Sequence, residues 1–317
     1  MEQRNHSIEQ NNHSIEQNHS IEQSNHAPET LGEPMKRMLS ADDLARDDRF
    51  VRIRIEETLF DPRSVAGVAD RRRGGFRSDD PDSPDAARRL MHGIFTGEIQ
   101  ALEGAGRTCY DYNVGSGADE VPFELKLDMA RQCWDEARHC ELSVKLGEHM
   151  GSEIGEFAEQ TSLFEAACNN DPILRLAGVN RALEGLAIDV FNTMRDFGAS
   201  TNDPVLFFCE DWMLADEVTH VKMGSDWLRK ITANDPERQK RALEFQKAVD
   251  KLFSYGGFRG ESEENPVHLA RNFRRLAGFN DEEIHEIVDL AAQAFEEAKA
   301  AQSLKLAAAR ESALANA

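Results

Sequence analysis

Two segments of the chain place a glutamate and a histidine three residues apart: Asp135-Glu136-Ala137-Arg138-His139 and Asp216-Glu217-Val218-Thr219-His220. At that spacing the two side chains share one face of a helix, one turn apart. Each segment lies in the middle of a long helical pattern. Two further helical stretches each offer a glutamate, Glu98 in Thr96-Gly97-Glu98-Ile99-Gln100 and Glu184 in Ala182-Leu183-Glu184-Gly185-Leu186. The order along the chain is therefore Glu, Glu-x-x-His, Glu, Glu-x-x-His. Glu98 and Glu136 are 38 residues apart, and Glu184 and Glu217 are 33 apart, which puts one group on each helix at similar depth across antiparallel pairs. If these side chains act together, four long helices must stand side by side.

The punctuation of the chain agrees. A first helix is expected from about Pro84 to Tyr112, and a second from about Pro122 to Met150. A third starts after Asn170-Asp171-Pro172 and ends near Phe197-Gly198. A fourth starts after Asn202-Asp203-Pro204 and runs to about Ile231. Asn-Asp-Pro supplies a capping side chain followed by a proline in the first turn, a strong helix start. Each helix would measure about 40 to 45 Å at 1.5 Å per residue. A short helix is expected around Phe157 to Cys168. Three more helical stretches follow, roughly Pro236–Tyr255, Asn265–Ala277 and Asp281 to about Ala309. The expected fold is all-α, a four-helix bundle with extra C-terminal helices and an N-terminal arm.

The division this implies is a low-complexity repeat over 1–26, an arm over 27–85, the bundle over 86–232 and a helical extension over 233–317. In the repeat, Asn5-His6-Ser7-Ile8-Glu9-Gln10 recurs at 12–17 and 18–23, and Asn25-His26 begins a fourth copy. One apolar residue per unit cannot build a core, so disorder is expected there. Within the arm, Met35–Arg46 reads as a short helix and Phe50–Ile55 alternates like a strand.

Several classes of function are disfavoured. The formal net charge is −21, whereas nucleic-acid binding rests on Lys and Arg neutralising phosphates, so no nucleic-acid partner is expected. No apolar run approaches the roughly 20 residues that span a bilayer. The segment MEQRNHSIEQ lacks the apolar stretch of a secretory leader. The five cysteines show no Cys-x-x-Cys pair and read as reduced thiols. The chain is accordingly expected to be cytoplasmic and not bound to a membrane.

The chemistry lies in the four helices. One glutamate from each of two helices and a Glu-x-x-His from each of the other two is the inward-facing ligand set of dinuclear carboxylate bundles. Two cations about 3.5 to 4 Å apart repel each other, and bridging carboxylates hold such a pair together. Oxygen and imidazole ligands suit iron or manganese. Asp135 and Asp216, each next to a ligand glutamate, are candidates to hold a histidine by accepting its free ring N–H. Glu103 competes with Glu98 on the first helix, and Asp189 with Glu184 on the third. Asp281-Glu282-Glu283-Ile284-His285 repeats the spacing in a first helical turn, where acidic residues cap the helix, and is read as structural. Trp134 and Trp212 are expected in the core.

At these residues the sequence resembles the ferritin-like di-iron superfamily over about residues 86–232. More narrowly, it is similar to a bacterial ferritin-like family of unknown function. The resemblance implies a site for two iron ions, with manganese possible at one or both positions, held by Glu98, Glu136, His139, Glu184, Glu217 and His220. It also implies activation of dioxygen. The position of the radical tyrosine of ribonucleotide reductase small subunits is Ser143 here. Asn180 and Ala187 stand in the turns where arylamine N-oxygenases add a histidine. A tRNA-hydroxylase reading conflicts with the acidity. The expected function is a non-haem di-iron or Mn/Fe oxidase or oxygenase acting on a small organic molecule, with an external electron donor, as a monomer or homodimer. Iron storage and a metal-stabilised interaction module are the alternatives.

Overall fold

The sequence's start signals become helix starts. In the computed structural model, which describes residues 50–51, 84–157, 159–160, 169–254, 259–261 and 265–315, Asp171 accepts from the backbone N–H of Ile173 at 2.9 Å. Asp203 accepts from those of Val205 and Leu206 at 3.1 Å. Each capping aspartate is followed by the proline that opens its helix. The long helices are α1 (Pro84–Asp111), α2 (Phe123–His149), α4 (Glu184–Ser200) and α5 (Pro204–Ile231). The described residues all belong to one compact unit, Ser40–Ala317. The N-terminal repeat and the expected 35–46 helix lie outside the described residues. Of the expected 50–55 strand, only β1 (Phe50–Val51) is described.

α1 packs along α2, and α4 along α5. The links within each pair are short, and that between α1 and α2 carries β2 (Asn113–Val114) paired with β3 (Glu120–Val121). Short links make antiparallel neighbours. α2 and α1 also meet α5 and α4 respectively, closing a ferritin-like four-helix bundle. Its interior is apolar at both ends, with Met91, Ile188, Met213 and Val221 fully buried.

The third rod is not regular. It opens as α3 (Pro172–Arg175), continues as a π-helix over Leu176–Leu183, and becomes α4 at Glu184. π-Helical turns inside α-helices recur at functional sites. Here the widened stretch is buried throughout and ends at a candidate ligand. α5 comes close to it at Gly224, where a Cβ would collide with that of Asn180.

The C-terminal helices are α6 (Pro236–Ser254), α7 (Arg271–Leu276) and α8 (Asp281–Ala315). The helix expected over 265–277 is shorter than its sequence pattern: β6 (Val267–His268) pairs with β5 (Arg259–Gly260) before α7 begins. Of the expected helix at 157–168, Glu159–Gln160 form β4, paired with β1, and most of the rest lies outside the described residues. α8 starts with a reciprocal cap, Glu283 N–H to Asn280 Oδ1 and Asn280 N–H to Glu283 Oε2, both 2.9 Å.

Buried ion pairs fasten this extension to the bundle. Arg274 donates to Asp189 Oδ2 at 2.6 Å and to the carbonyl of Gly185 at 2.6 Å. Arg259 lies 3.7 Å from the same Asp189 and bonds Asp250 of α6 at 2.9 Å, tying the extension to itself as well. Arg181, in the π-helical stretch, reaches Ser225, Gln246 and Glu283. The extension thus braces the third rod beside Glu184. No described helix is long and apolar enough to cross a membrane.

Candidate dinuclear metal centre

The bundle brings the six side chains into one buried cluster midway along its axis. Glu98, Glu136, His139 and Glu217 place ligand atoms within 4.8 Å of one another, and so do Glu136, Glu184, Glu217 and His220. Glu136 and Glu217 belong to both groups. Each group then adds one glutamate and one histidine of its own. This is the arrangement two adjacent cations require: two carboxylates to bridge and two ligands private to each ion.

Both histidines point Nδ1 into the cluster. His139 Nδ1 is 3.0 Å from Glu98 Oε2, 3.3 Å from Glu136 Oε2 and 3.2 Å from Glu217 Oε1. His220 Nδ1 is 3.3 Å from Glu136 Oε1 and 3.6 Å from Glu217 Oε1. Their Nε2 atoms face outward, and the aspartates take them crosswise: Asp216 lies 3.3 Å from His139 Nε2, and Asp135 lies 3.3 Å from His220 Nε2. An aspartate accepting from Nε2–H leaves the Nδ1 lone pair free for a cation, which fixes the tautomer. The crossing also staples α2 to α5. Arg138 bonds both aspartates, and its guanidinium lies 4.6 Å from the Trp212 ring.

The electrostatics point to a missing positive charge. Burial and the neighbouring carboxylates Glu136 and Glu217 push Glu98 and Glu184 well above the ordinary carboxylate range. Burial alone would lower both histidines, yet the surrounding carboxylates raise His139 strongly and His220 to about 10. Protons on these groups do what divalent cations would do better. Glu136 Oε2, both Glu217 oxygens and His220 Nδ1 are buried without a hydrogen-bond partner. Such atoms are costly unless something pairs with them. The donor set therefore fits two divalent cations.

The other sequence candidates separate cleanly. Glu98 is buried, whereas Glu103 is half-exposed. Asp189 is buried but tied to Arg274. His285 is exposed and remote from the cluster, with Asp289 at 3.8 Å. The tryptophans correct the sequence reading: Trp134 is 66% exposed, and Trp212 is 36% exposed, standing at the rim of the α2–α5 seam edge-on to His139 rather than in the core. Residue reasoning missed Gln132, Asn180, Arg138 and Glu210. Gln132 donates to Glu136 at 2.9 Å and to Glu184 at 2.7 Å. Its place one turn before Glu136 was the available signal. Glu210, two turns before Glu217, is fully buried with neither oxygen hydrogen-bonded.

Comparison with curated proteins and with solved structures finds no match to the chain. A family model described as "Protein of unknown function (DUF455)" matches residues 61–285, a span that includes all six clustered side chains, and the chain belongs to that family.

Proposed function

We propose that this protein is a non-haem dinuclear oxidoreductase, with two iron ions or a Mn/Fe pair, that uses dioxygen to oxidise a small organic substrate. The observation that carries the reading is the buried pair of four-residue groups sharing Glu136 and Glu217, with orphaned ligand atoms aimed at their centre. In it, residues 86–232 are the metal-binding bundle and 233–317 an extension that braces it.

Glu136 and Glu217 would bridge the ions. Glu98 and His139 complete one position, and Glu184 and His220 the other. Bound as a reduced pair, such ions supply electrons for dioxygen chemistry. The chain's own contribution is positional. Asp216 and Asp135 hold the imidazoles with Nδ1 inward, and Arg138 holds both aspartates. Burial keeps bulk water away, which strengthens every charge interaction at the cluster. When cations enter, the protons on the histidines and on Glu98 and Glu184 must leave.

The test begins with metals per chain on untagged protein expressed with iron and manganese both available. About two equivalents are expected from the ligand count, with dioxygen consumed by anaerobically Fe(II)-loaded protein and none consumed by Glu136→Ala. Near-zero metal that anaerobic Fe(II) cannot restore would sink the reading. Size-exclusion chromatography separates storage from catalysis: a monomer or dimer fits an enzyme, a hollow shell a store. Metal-dependent stability without dioxygen uptake would favour an interaction module.

A further inference from the structure

The two metal positions have matching ligand types, but their neighbours differ. Crosswise pairing of 139 with 216 and of 135 with 220 makes α2 and α5 antiparallel. The α1–α2 half therefore corresponds to the α4–α5 half: Glu98 to Glu184, Glu136 to Glu217 and His139 to His220. One turn before Glu136 stands Gln132, buried, whose Nε2 donates to Glu136 Oε1 and Glu184 Oε1. Its own Oε1 accepts from Asn180 Nδ2 at 2.7 Å. That bond decides which end of the amide meets the carboxylates. Asn180 stands in the π-helical stretch, with its Cβ packed against α5 at Gly224.

Gln132 acts on one side only. Glu136 Oε1 faces His220 Nδ1, whereas Oε2 faces His139 Nδ1. Both oxygens that Gln132 engages thus belong to the Glu184/His220 position. The residue corresponding to Gln132 on α5 is Met213, and that corresponding to Asn180 on α1 is Ile94, both buried. Neither side chain has an amide to give.

We infer that Gln132, oriented by Asn180, makes the two positions unequal, so that a divalent cation fills the Glu98/His139 position first and the Glu184/His220 position second and more weakly. The inference rests on the dinuclear reading above. A carboxylate oxygen that receives an N–H has less negative charge to offer a cation, and hydrogen bonds to charged acceptors are the strong ones. Gln132 cannot turn its carbonyl to the ion without losing Asn180. A singly loaded protein is then populated over a range of metal concentration, and ions supplied in sequence occupy different positions.

The experiment is an anaerobic cobalt(II) titration of the metal-stripped full chain, followed by calorimetry and by the cobalt d–d absorption of each step. Wild type should bind in two steps whose dissociation constants differ by about tenfold or more, the scale of one charge-assisted hydrogen bond. Glu184→Ala should keep the tighter step, and Glu98→Ala should lose it. Gln132→Met, which puts the same residue at this place in both halves, should tighten the second step to within about threefold of the first and change only the second-step spectrum. Two equal steps in wild type, loss of the tighter step in Glu184→Ala, or an unchanged separation in Gln132→Met would overturn the inference and leave the dinuclear centre standing. No cobalt uptake at all would overturn both. Should Gln132→Met not fold, Asn180→Ala, which removes the bond that orients the Gln132 amide, should narrow the separation in the same way, and an unchanged separation would overturn the inference.

Discussion

The α1–α2 half and the α4–α5 half carry the same ligand types at the same helical spacing, yet they are built differently around them. In the α4–α5 half, Glu184 follows a π-helical stretch, lies beside an amide relay, and sits on a rod braced from outside by Arg274 and tied outward by its own Arg181. At the His139 end of the cluster the corresponding places are apolar, Met213 and Ile94, and Glu210 stands two turns away with no hydrogen-bond partner among the described residues. A repeated ligand pattern sets what can bind. The surroundings set how tightly each position holds, in what order, and at what cost to stability.

The largest expected effects separate shared from private residues. Glu136→Ala or Glu217→Ala should take the protein from about two bound ions to none, because each residue serves both groups. A variant that still binds one ion by elemental analysis would break the equivalence of the bridging glutamates.

Next is the brace. Arg274 is fully buried against Asp189, and removing one partner of such a pair costs about 3–5 kcal/mol. Arg274→Ala should therefore lower unfolding free energy by about that amount in urea titrations. A loss under about 1 kcal/mol would mean the extension does not hold the third rod.

The crosswise aspartates give a sharper comparison. Loss of an outer partner of a metal-binding histidine typically costs about 10- to 100-fold in affinity. Asp216→Asn should weaken the position that contains His139, and Asp135→Asn the one that contains His220, each leaving the other nearly intact. Equal effects on both steps would show that Arg138 couples the aspartates into one unit.

Glu210 provides a smaller test. Burial raises its pKa well above the carboxylate range. A carboxyl with a raised folded-state pKa keeps its proton when the unfolded chain has lost its own, so this group subtracts stability as pH rises above about 4.3. Glu210→Met should stabilise the metal-free protein at pH 7 by about 1–3 kcal/mol and by less at pH 4. Destabilisation at both pH values would mean that the carboxyl is paired in solution.

A last and diagnostic test is the proton dependence of loading. The histidines are raised, His220 to about 10, so in the metal-free protein they hold protons at neutral pH. That protonated pairing stabilises the apo fold fully below about pH 6.5 and is lost as pH rises toward 10. Cations must displace these protons, so affinity should fall as pH is lowered, by about tenfold per pH unit for each proton released. Calorimetry in buffers of different ionisation enthalpy counts them.

Much of the bundle was legible because its signals are local. Asn-Asp-Pro starts a helix through its own side chain and ring. Glu-x-x-His shares a face by helical geometry alone. Glu98 and Glu103 competed in the sequence; in the structure Glu98 is buried in the cluster and Glu103 is half-exposed. The tryptophans misled because size and aromaticity suggest burial, whereas Trp134 faces outward and Trp212 lies at the rim of the α2–α5 seam. The helix expected over 265–277 failed at its first half, where backbone pairing with 259–260 outcompetes the helical pattern.

By itself, the sequence determined the long bundle helices, their starts, and which carboxylates and imidazoles could gather, since those follow from spacing of a few residues. Only the tertiary structure decided that each aspartate serves the other helix's histidine. It also decided that Asn180 sets the direction of Gln132, that the third rod opens into a π-helix before Glu184, and that Glu210 is left with no hydrogen-bond partner among the described residues. The first two depend on atoms tens of residues apart meeting within about 3 Å, and that meeting is set by how the helices pack.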